Sequence, residues 1–408
     1  MNRSLVVHSE VPHDYAMKHT FDFDEIIDQS CSCAMKYEQL EALFGRRDLR
    51  PLWIADMDFP CHPAIREVMQ RRFEHPIFGY TATPDSYWQA IIDWLRDRHG
   101  VDVRREELRF APGVVKALAF CVNFFTREGD SIIIQEPVYH PFRMVVEGNG
   151  RKVANNRLLL TDDGDYVIDY EDLEAKMSQP QTTMMILCNP HNPAGVQWTA
   201  ESLQRVARMA KKHGVTVVSD EIHGDLMLWG QKHQPFIESC PEAADVGIWL
   251  GAPSKTFNIP GFASSWIMIR NEALRAPFYA WLDANEFSDP TFTAVLAAET
   301  AYRHAGEWLD ALIPYLQDNV IAVEQFMSER LPQVKVHRPQ ASFLVWLDMR
   351  GLGLTHSRVI DALVNKAHLA LNSGTMFGAD GEGFVRLNIA TPRRCLMEAL
   401  ESMAEAFS

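Results

Sequence analysis

Two residues in the middle of the chain, Asp220 and Lys255, are of types and at a spacing that could support covalent catalysis. Asp220 lies in residues 219–223, directly after the apolar run 215–218, and Lys255 follows the next such run. A carboxylate at the C-terminal end of a parallel strand points into the crevice where α/β proteins bind ligands. A lysine whose pKa is lowered by its surroundings can form a Schiff base. A lone lysine is usually a surface residue, but here only one strand separates the two, so both side chains could converge on one pocket.

Two further segments have the features of ligand-binding turns. Residues 189–195 read Asn-Pro-His-Asn-Pro-Ala-Gly and follow the apolar run 183–188. Each Asn-Pro step pushes its asparagine out of the helical region, so a rigid turn that presents an amide side chain is predicted. Gly113, in residues 111–115, precedes a predicted helix over 114–127, whose free N–H groups and dipole would favour a phosphate. Taken singly, each segment also fits an ordinary tight turn.

The elements that must position these segments alternate along the chain. Amphipathic helical patterns, such as Ala200–His213 with Gly214 as its stop, lie between short apolar runs rich in β-formers. This alternation is typical of βαβ units and predicts a buried parallel sheet with flanking helices. The apolar runs are residues 131–135, 183–188, 215–219, 246–250 and 265–269.

The pattern changes after about residue 290. Long helical and shorter strand-like stretches there are typical of a smaller α+β domain, on which the mixed first 50 residues are expected to pack. The sequence therefore predicts a large domain over residues 51–292 and a small domain formed by residues 1–50 and 293–408. The predicted elements of the last part are helical residues 293–329, strand-like residues 342–347, helical residues 357–368 and strand-like residues 384–389.

Composition and charge narrow the possible functions. The 408 residues are 47% hydrophobic and 23% charged, which is ordinary for a globular protein and excludes a disordered or disulfide-stapled chain. With 39 Lys and Arg against 54 Asp and Glu, the net charge of −15 disfavours nucleic acid or an anionic membrane as a partner. No apolar run approaches the roughly 18 residues of a membrane helix, and the start lacks the features of a signal peptide. The seven cysteines show no zinc-ligand spacing, so we expect free thiols, no metal and a cytoplasmic protein.

Taken in chain order, the segments Asn-Pro-x-Asn-Pro-x-Gly, Ser-Asp-Glu and Ser-Lys-Thr resemble the aspartate-aminotransferase-like, fold-type I enzymes that depend on pyridoxal 5′-phosphate (PLP). The resemblance covers nearly the whole chain. It implies an α/β fold in which a mostly parallel, seven-stranded sheet is flanked by helices in the large domain. Four other segments are similar to the MalY/PatB-type C–S lyases, which cleave cystathionine and related cysteine S-conjugates. These segments are residues 21–27, 53–60, 78–81 and 137–142.

The resemblance implies catalytic roles for three residues. Lys255 would carry PLP through a Schiff base and, once freed, take the Cα proton of the substrate. Asp220 would pair with the pyridine nitrogen and keep it protonated, which makes the ring an electron sink. Tyr139 would stack on the face of the ring.

The resemblance also implies a wider set of contacts with the cofactor and the substrate. Tyr80 of a neighbouring subunit would reach the phosphate, so a homodimer with a shared active site is expected. Arg386 would bind the α-carboxylate of a small-molecule amino-acid substrate through a bidentate pair. Ala55 and Asn192 are the other implied substrate contacts, and Asn192 would also hydrogen-bond the ring oxygen. The remaining implied cofactor contacts are the backbone N–H groups of Gly113, Val114 and Val115, the Ser254 hydroxyl, and His223.

Five positions qualify this interpretation. Ala263 stands where many aminotransferases carry a basic residue that touches phosphate, and Ala252 stands where many have serine or threonine, so the phosphate site is expected to be less cationic. His223 replaces a usual tyrosine, so it either contacts the ring oxygen or lies just behind that contact. Cys188 and His191 lie near the site, but a cysteine that ends an apolar strand usually serves as a small hydrophobe.

Three functions remain open from the sequence. The leading hypothesis is β-elimination of an L-cysteine S-conjugate such as L-cystathionine, which gives a thiol (homocysteine in that case), pyruvate and ammonia. An aminotransferase is the alternative, because both reactions need Lys255, Asp220 and Arg386; dependence of turnover on a keto-acid acceptor would favour it. A PLP-binding protein without catalysis is the third hypothesis, and it predicts cofactor absorbance without turnover.

Overall fold

The computed structural model describes residues 21–29, 32–162 and 164–408, and its helices and strands are numbered in chain order. The expectations for the chain start and for Cys31 lie outside the described residues. The helices are α1 (Met35–Glu38), α2 (Leu40–Phe44), α3 (Pro63–Glu74), α4 (Asp85–His99), α5 (Val114–Phe125), α6 (Pro141–Gly148), α7 (Tyr170–Met177), α8 (Ala200–His213), α9 (Pro241–Val246), α10 (Pro253–Thr256), α11 (Glu272–Ala284), α12 (Phe292–His304), α13 (Gly306–Arg330), α14 (His356–Asn365) and α15 (Arg393–Phe407). The strands are β1 (Arg50–Pro51), β2 (Leu108–Ala111), β3 (Ser131–Ile134), β4 (Lys152–Asn155), β5 (Leu159–Leu160), β6 (Tyr166–Val167), β7 (Thr182–Cys188), β8 (Thr216–Asp220), β9 (Gly247–Gly251), β10 (Ser265–Met268), β11 (Lys335–His337), β12 (Leu344–Asp348), β13 (Leu369–Ala370), β14 (Asn372–Ser373) and β15 (Phe384–Asn388).

A seven-stranded sheet with the order β2-β10-β9-β8-β7-β3-β4 forms the larger of the two main sheets. Strands β9, β8, β7, β3 and β4 pair in parallel, as the alternation of apolar runs and helices predicts. Successive residues of the central strands alternate between two cores. Ile132 and Ile186 pack in the core that contains residues of α5, whereas Ile133 and Leu187 pack in the core that contains residues of α8. Helices therefore cover both faces, which is why these strands read as continuous apolar runs.

Strand β10 runs antiparallel to both of its neighbours, β9 and β2. We expected the run at residues 265–269 to belong to a parallel sheet. It does lie in the sheet, but the predicted parallel direction is wrong. A parallel neighbour needs a crossover that returns the chain to the other edge of the sheet. The connection over residues 252–264 instead stays at the carboxyl edge, where its short helix α10 carries Lys255.

A four-stranded antiparallel sheet with the order β11-β12-β15-β14 lies in the last quarter of the chain. The first part of the chain contacts this region, because β1 pairs in parallel with β13. The Phe23 ring also packs against Phe59, Trp308 and Tyr315, at centroid distances of 5.2–5.8 Å. The predicted division into a domain of residues 51–292 and a domain of residues 1–50 and 293–408 stays a prediction.

Some predicted helices have the predicted bounds, and others are shifted or divided. Helix α8 and its left-handed cap at Gly214 lie where the pattern predicts them. Helix α5 ends two residues before the predicted end, at Phe125. The single helical stretch predicted over residues 293–329 is two helices, α12 and α13, that meet at Ala305. No helix in the described part of the chain combines the length and the apolar character needed to cross a bilayer.

Candidate active site

Four of the residues that the sequence singles out meet beside the carboxyl ends of the central strands. Asp220 is the last residue of β8, Asn192 follows β7, and Lys255 follows β9. Because these strands are parallel neighbours, their carboxyl ends lie side by side. Arg386 comes from β15 of the other sheet, and its Nη1 donates a hydrogen bond to Asn192 Oδ1 at 3.0 Å. The site therefore lies between the two main sheets.

Lys255 lies in the short helix α10, and its amine faces the segment that follows β1. The Nζ group donates a hydrogen bond to the carbonyl oxygen of Ala55. Burial lowers the pKa of Lys255 to about 8, although the carboxylate of Asp56 acts in the opposite direction. A substantial fraction of the amine is therefore neutral near physiological pH, as a nucleophile or a base requires.

Asp220 is a buried carboxylate that is 4% exposed. Its Oδ1 accepts the backbone N–H of Ile222 at 3.2 Å, and no ion pair joins it to another described side chain. Burial raises the pKa of Asp220 to about 7, and Glu221 adds to that effect. A cationic N–H placed beside this carboxylate would supply the missing counter-charge.

Arg386 is a buried guanidinium without a carboxylate partner among the described residues. Its Nη2 donates to the Trp53 carbonyl oxygen at 2.7 Å and to Asn372 Oδ1 at 2.6 Å, and its Nε has no described hydrogen-bond partner. Burial lowers the pKa of Arg386 to about 10, so the group remains cationic at neutral pH. A buried cation held only by neutral acceptors is suited to bind the carboxylate of an incoming ligand.

Tyr139 and Asn192 are held against each other by the backbone. The Tyr139 N–H donates to the Asn192 carbonyl oxygen at 3.0 Å. Burial, and then the nearby Asp220 carboxylate, raise the pKa of Tyr139, so its phenol stays protonated. Since Asn192 Oδ1 already accepts from Arg386, the Asn192 Nδ2 is the amide group that can donate to a ring oxygen.

The start of helix α5 differs in one respect from the predicted phosphate site. Gly113 has a φ of 117°, and its N–H donates to Ser265 Oγ at 3.1 Å rather than pointing to a ligand. The Ser265 hydroxyl in turn donates to the Ala111 carbonyl oxygen at 2.7 Å. The donors that the helix start can offer a phosphate are therefore the N–H groups of Val114 and Val115.

Two serines, Ser264 and Ser265, and no basic residue directly follow Ala263. Ser254 is buried, and its hydroxyl donates to the Ser264 carbonyl oxygen at 3.4 Å, a long hydrogen bond that a phosphate oxygen could replace. Ala263 itself has a φ of 51°. Ser264 and Ser265 carried no sequence signal, because isolated serines are common in loops.

His223 is buried beside the site and is uncharged. Burial, together with the positive charges of Lys255 and Arg386, lowers the pKa of His223 to about 3. Its Nδ1 has no described hydrogen-bond partner, and its ring packs against Phe343 at 6.0 Å. A neutral imidazole with an unpartnered nitrogen can serve a ring oxygen of a ligand, so both sequence hypotheses for His223 stay open.

Cys188 and His191 have structural contacts. Cys188 Sγ accepts the Asn192 N–H at 3.4 Å, and burial raises the pKa of the thiol. Burial lowers the pKa of His191 to about 4, and its ring packs against Trp198 at 5.7 Å. A protonated thiol and a neutral imidazole in these surroundings fit packing better than catalysis.

Tyr80 is fully exposed in the single chain. It lies beside an exposed apolar group formed by Phe73, Ile77 and Phe78, and the Phe78 ring stacks on Phe292 at 5.9 Å. Exposed apolar patches of this kind mark interaction surfaces. Within the described residues, no hydrogen bond or ion pair joins the Tyr80 side chain to Lys255 or Asp220.

Two asparagines that sequence reasoning missed hold residues 53–59 in place. Asn258, three residues after Lys255, makes three hydrogen bonds with the backbone of this segment at 2.7–3.0 Å. Asn388, two residues after Arg386, donates to two of its carbonyl oxygens at 2.7 Å. Residues 53–59 are thereby tied to the segments that carry Lys255 and Arg386. The sequence marked residues 53–60 as typical of one group of lyases, and the resemblance implied a substrate contact only for Ala55.

The chain is similar to known proteins over nearly its whole length. The sequence model of the family described as "Aminotransferase class I and II" matches residues 51–403. The chain belongs to this family. It is 43% identical to "Cystathionine beta-lyase PatB" of Bacillus subtilis over 95% of this chain and 100% of that protein, and 33% identical to "Protein MalY" of Escherichia coli over 95% and 98%. The crystal structure of cystalysin from Treponema denticola, which contains pyridoxal 5′-phosphate, superposes with a TM-score of 0.91 at 32% identity, over 95% of this chain and 99% of that one.

These similarities confirm two predictions from the sequence. The chain is a member of the fold-type I family and of its MalY/PatB-type branch, and its fold is the predicted α/β architecture with a mostly parallel, seven-stranded sheet. The roles of individual site residues stay predictions.

Proposed function

We propose that the chain is a PLP-dependent carbon–sulfur β-lyase that cleaves L-cystathionine or related L-cysteine S-conjugates to a thiol, pyruvate and ammonia. The observation that carries the proposal is the meeting of three ionisable side chains, Lys255 and the buried Asp220 and Arg386, none of which has an ion-pair partner within 4.0 Å among the described residues. The similarity to PatB and MalY supports this reaction over others of the family.

The side chains of this site fit PLP. A buried carboxylate without a counter-charge, Asp220, suits a protonated ring nitrogen, and the amine of Lys255, with its pKa lowered to about 8, suits an aldehyde. Val114 and Val115 offer backbone N–H groups for a phosphate at the start of α5. The remaining proposed cofactor contacts are Tyr139, Asn192, His223, Ser254 and Gly113, the last provided that its N–H leaves Ser265.

When bound, PLP supplies an electron sink for the electron pair that stays on the substrate Cα after its proton is removed. Arg386 binds the substrate carboxylate and fixes the orientation of Cα toward Lys255. Lys255 Nζ takes the Cα proton: the C–H bond breaks and an N–H bond forms. The same Nζ then donates this proton to the leaving sulfur, which receives the electron pair of the breaking C–S bond. No oxidant or reductant is consumed, and hydrolysis of the remaining three-carbon fragment gives pyruvate and ammonia.

Release of a thiol in step with pyruvate tests the proposal. Purified protein with PLP is incubated with L-cystathionine and with a panel of S-alkyl and S-aryl cysteines, and thiol and pyruvate are measured in parallel. We expect equal amounts of both products, and no turnover for Lys255→Ala. Turnover that requires a keto-acid acceptor and releases no thiol would refute the lyase and establish an aminotransferase.

We also propose that two copies of the chain form a homodimer in which Tyr80 reaches the phosphate site of the partner. The exposed apolar group beside Tyr80 supports this arrangement, because a second copy would remove it from water.

We propose the cytoplasm as the place of action, since the cysteines of the described residues are unpaired.

A further inference from the structure

A fully buried lysine, Lys36, lies close to the active site and belongs to no predicted motif. It is in helix α1 and is 1% exposed. Its ammonium is 2.7 Å from Asp58 Oδ1 and 3.4 Å from Asp56 Oδ1. Burial of an ammonium is costly unless carboxylates compensate it, and the two nearby carboxylates raise the pKa of Lys36 against the effect of burial. Lys36 therefore stays charged.

The two carboxylates that Lys36 holds differ in their surroundings. Asp58 also accepts a hydrogen bond from Gln29 Nε2 at 3.0 Å. Asp56 Oδ1 accepts no hydrogen bond from the described residues, although it lies within ion-pair distance of Lys36. Asp56 is therefore the less fully satisfied of the two carboxylates that stabilise the Lys36 ammonium.

Asp56 lies between two lysine amines. The residue before it, Ala55, accepts the hydrogen bond of Lys255 Nζ, so the Asp56 carboxylate lies close enough to act on the amine through its charge. Asp56 exerts the strongest charge effect on Lys255, ahead of Arg386 and Asp220. Residues 53–59 are clamped by asparagines on both sides, so Asp56 cannot easily move away from Lys255.

We propose that Asp56 is a positioning residue that supplies the counter-charge for the protonated Lys255 amine, and that Lys36 keeps Asp56 ionised. The proposal rests on the proposed function of Lys255. When Nζ takes the Cα proton, the new ammonium forms beside a carboxylate that is already charged, and no proton passes to Asp56. The proton then leaves Nζ for the sulfur, and the Lys36–Asp56 pair is unchanged at the end of the cycle.

Several other charged or titratable groups lie near Asp56 and Lys255 and act on their protonation. Asp56 is faced by Lys36 and Tyr37 from α1, by Asp58 of its own segment and by Lys255. Burial raises the pKa of Asp56 above its usual value, although Lys36 and Lys255 act in the opposite direction. The other groups that act on Lys255 are the Arg386 guanidinium and the Asp220 carboxylate, and the neutral His223 lies nearby.

The first test is Asp56→Asn, with Asp48→Asn as the matched control. The Asp56 side chain is 28% exposed, so the isosteric change is expected to fold. Asp48 is an exposed carboxylate that pairs with Arg46 at 2.6 Å, away from Lys255. Two readouts are taken: the pH titration of the visible absorbance of the substrate-free holoenzyme, which reports protonation of the nitrogen of Lys255, and the acidic limb of kcat/KM against pH.

We expect Asp56→Asn to move both midpoints to lower pH by about one unit, because the variant lacks the anion that favours the protonated nitrogen. The Asp48→Asn control should leave both midpoints in place. Lower activity or lower thermal stability of Asp56→Asn with unmoved midpoints would show a purely structural role and would overturn the proposal.

The second test is Lys36→Met, alone and combined with Asp56→Asn. Without its ammonium partner the pKa of Asp56 is expected to rise further, which weakens the negative charge near Lys255, so Lys36→Met should move the midpoints in the same direction as Asp56→Asn. The double variant should move them no further than Asp56→Asn does. A shift of Lys36→Met to higher pH would mean that Lys36 acts on Lys255 directly, which contradicts the proposal. If Lys36→Met does not fold, the Asp56→Asn result alone decides.

The outcome is separable from the proposed reaction. The absorbance titration needs only bound PLP and no turnover. A wild-type protein that takes up no PLP would refute the proposed function, whereas a holoenzyme whose titration ignores Asp56 would refute only this inference.

Discussion

Replacement of Arg386 by lysine tests how the site recognises an amino acid. Arg386 already donates to three neutral acceptors of the chain, on Asn192, Trp53 and Asn372, at 2.6–3.0 Å. A planar guanidinium has five N–H donors and can serve a carboxylate as well, whereas an ammonium has three. In the Arg386→Lys variant, the ammonium would therefore have too few donors to satisfy both the chain and the substrate.

The size of the effect follows from this count. Loss of one hydrogen bond to a charged group costs about 1.5–3 kcal/mol. If that bond is made to the substrate carboxylate in the transition state, kcat/KM falls about 10- to 150-fold. Because the charge is retained, Arg386→Lys is expected to keep its PLP absorbance and to unfold cooperatively like the wild type.

Initial rates of pyruvate release from one cysteine S-conjugate measure this effect. The matched control is Arg350→Lys, an arginine beyond the end of β12 that pairs with Asp348 at 2.7 Å. The control should change kcat/KM by no more than about twofold, as surface substitutions do. A decrease of less than about threefold in kcat/KM for Arg386→Lys, with PLP retained, would refute the assigned contact with the substrate carboxylate.

Three other changes probe the site and the fold. Asp220→Asn should lower kcat about 10- to 150-fold because a neutral amide cannot hold a proton on the ring nitrogen. Since burial disfavours the Asp220 carboxylate, the melting temperature of the PLP-free variant should not fall. A large decrease in that melting temperature would contradict this account. Gly251→Ala should lower the free energy of unfolding by about 1–3 kcal/mol in urea denaturation, because an added Cβ would overlap the Trp266 indole, and unchanged stability would show that this contact yields easily. The Tyr80→Ala and Lys255→Ala variants should each be inactive or severely impaired alone. If Tyr80 acts across the dimer, refolding a mixture of the two should restore activity, because one site of each mixed dimer then has both residues. No restoration in mixed dimers would place Tyr80 outside the partner's site.

Local sequence patterns predicted the elements whose determinants are themselves local. Helix α8 has an apolar stripe, a threonine cap and a terminal Gly214, and both of its ends lie where the pattern placed them. The long stretch at residues 293–329 shows the limit. Its helical periodicity is real, but the chain bends at Ala305, where Arg98 from α4 donates to the Gly306 carbonyl oxygen at 3.2 Å. A contact with a distant helix cannot be read from periodicity.

The same distinction holds for the candidate site. Asp220, Asn192 and Lys255 could be found because each lies at or just after the carboxyl end of a strand of a parallel sheet, a position that directs a side chain to the ligand edge. Gly113 shows where position is insufficient, since its N–H is taken by Ser265, a residue 152 positions away in the chain.

The sequence by itself determined the family, the α/β class and the strand ends that carry the reactive side chains, because these depend on residue types at short spacing. Only the tertiary structure decided the direction of β10, the hydrogen-bond partners of Arg386, and the Lys36–Asp56 pair beside Lys255. Charge interactions depend on distance and burial in space, and Lys255 lies about 200 residues from Asp56 in the chain. The protonation state of the lysine is therefore a property of the folded protein and not of the motif that contains it.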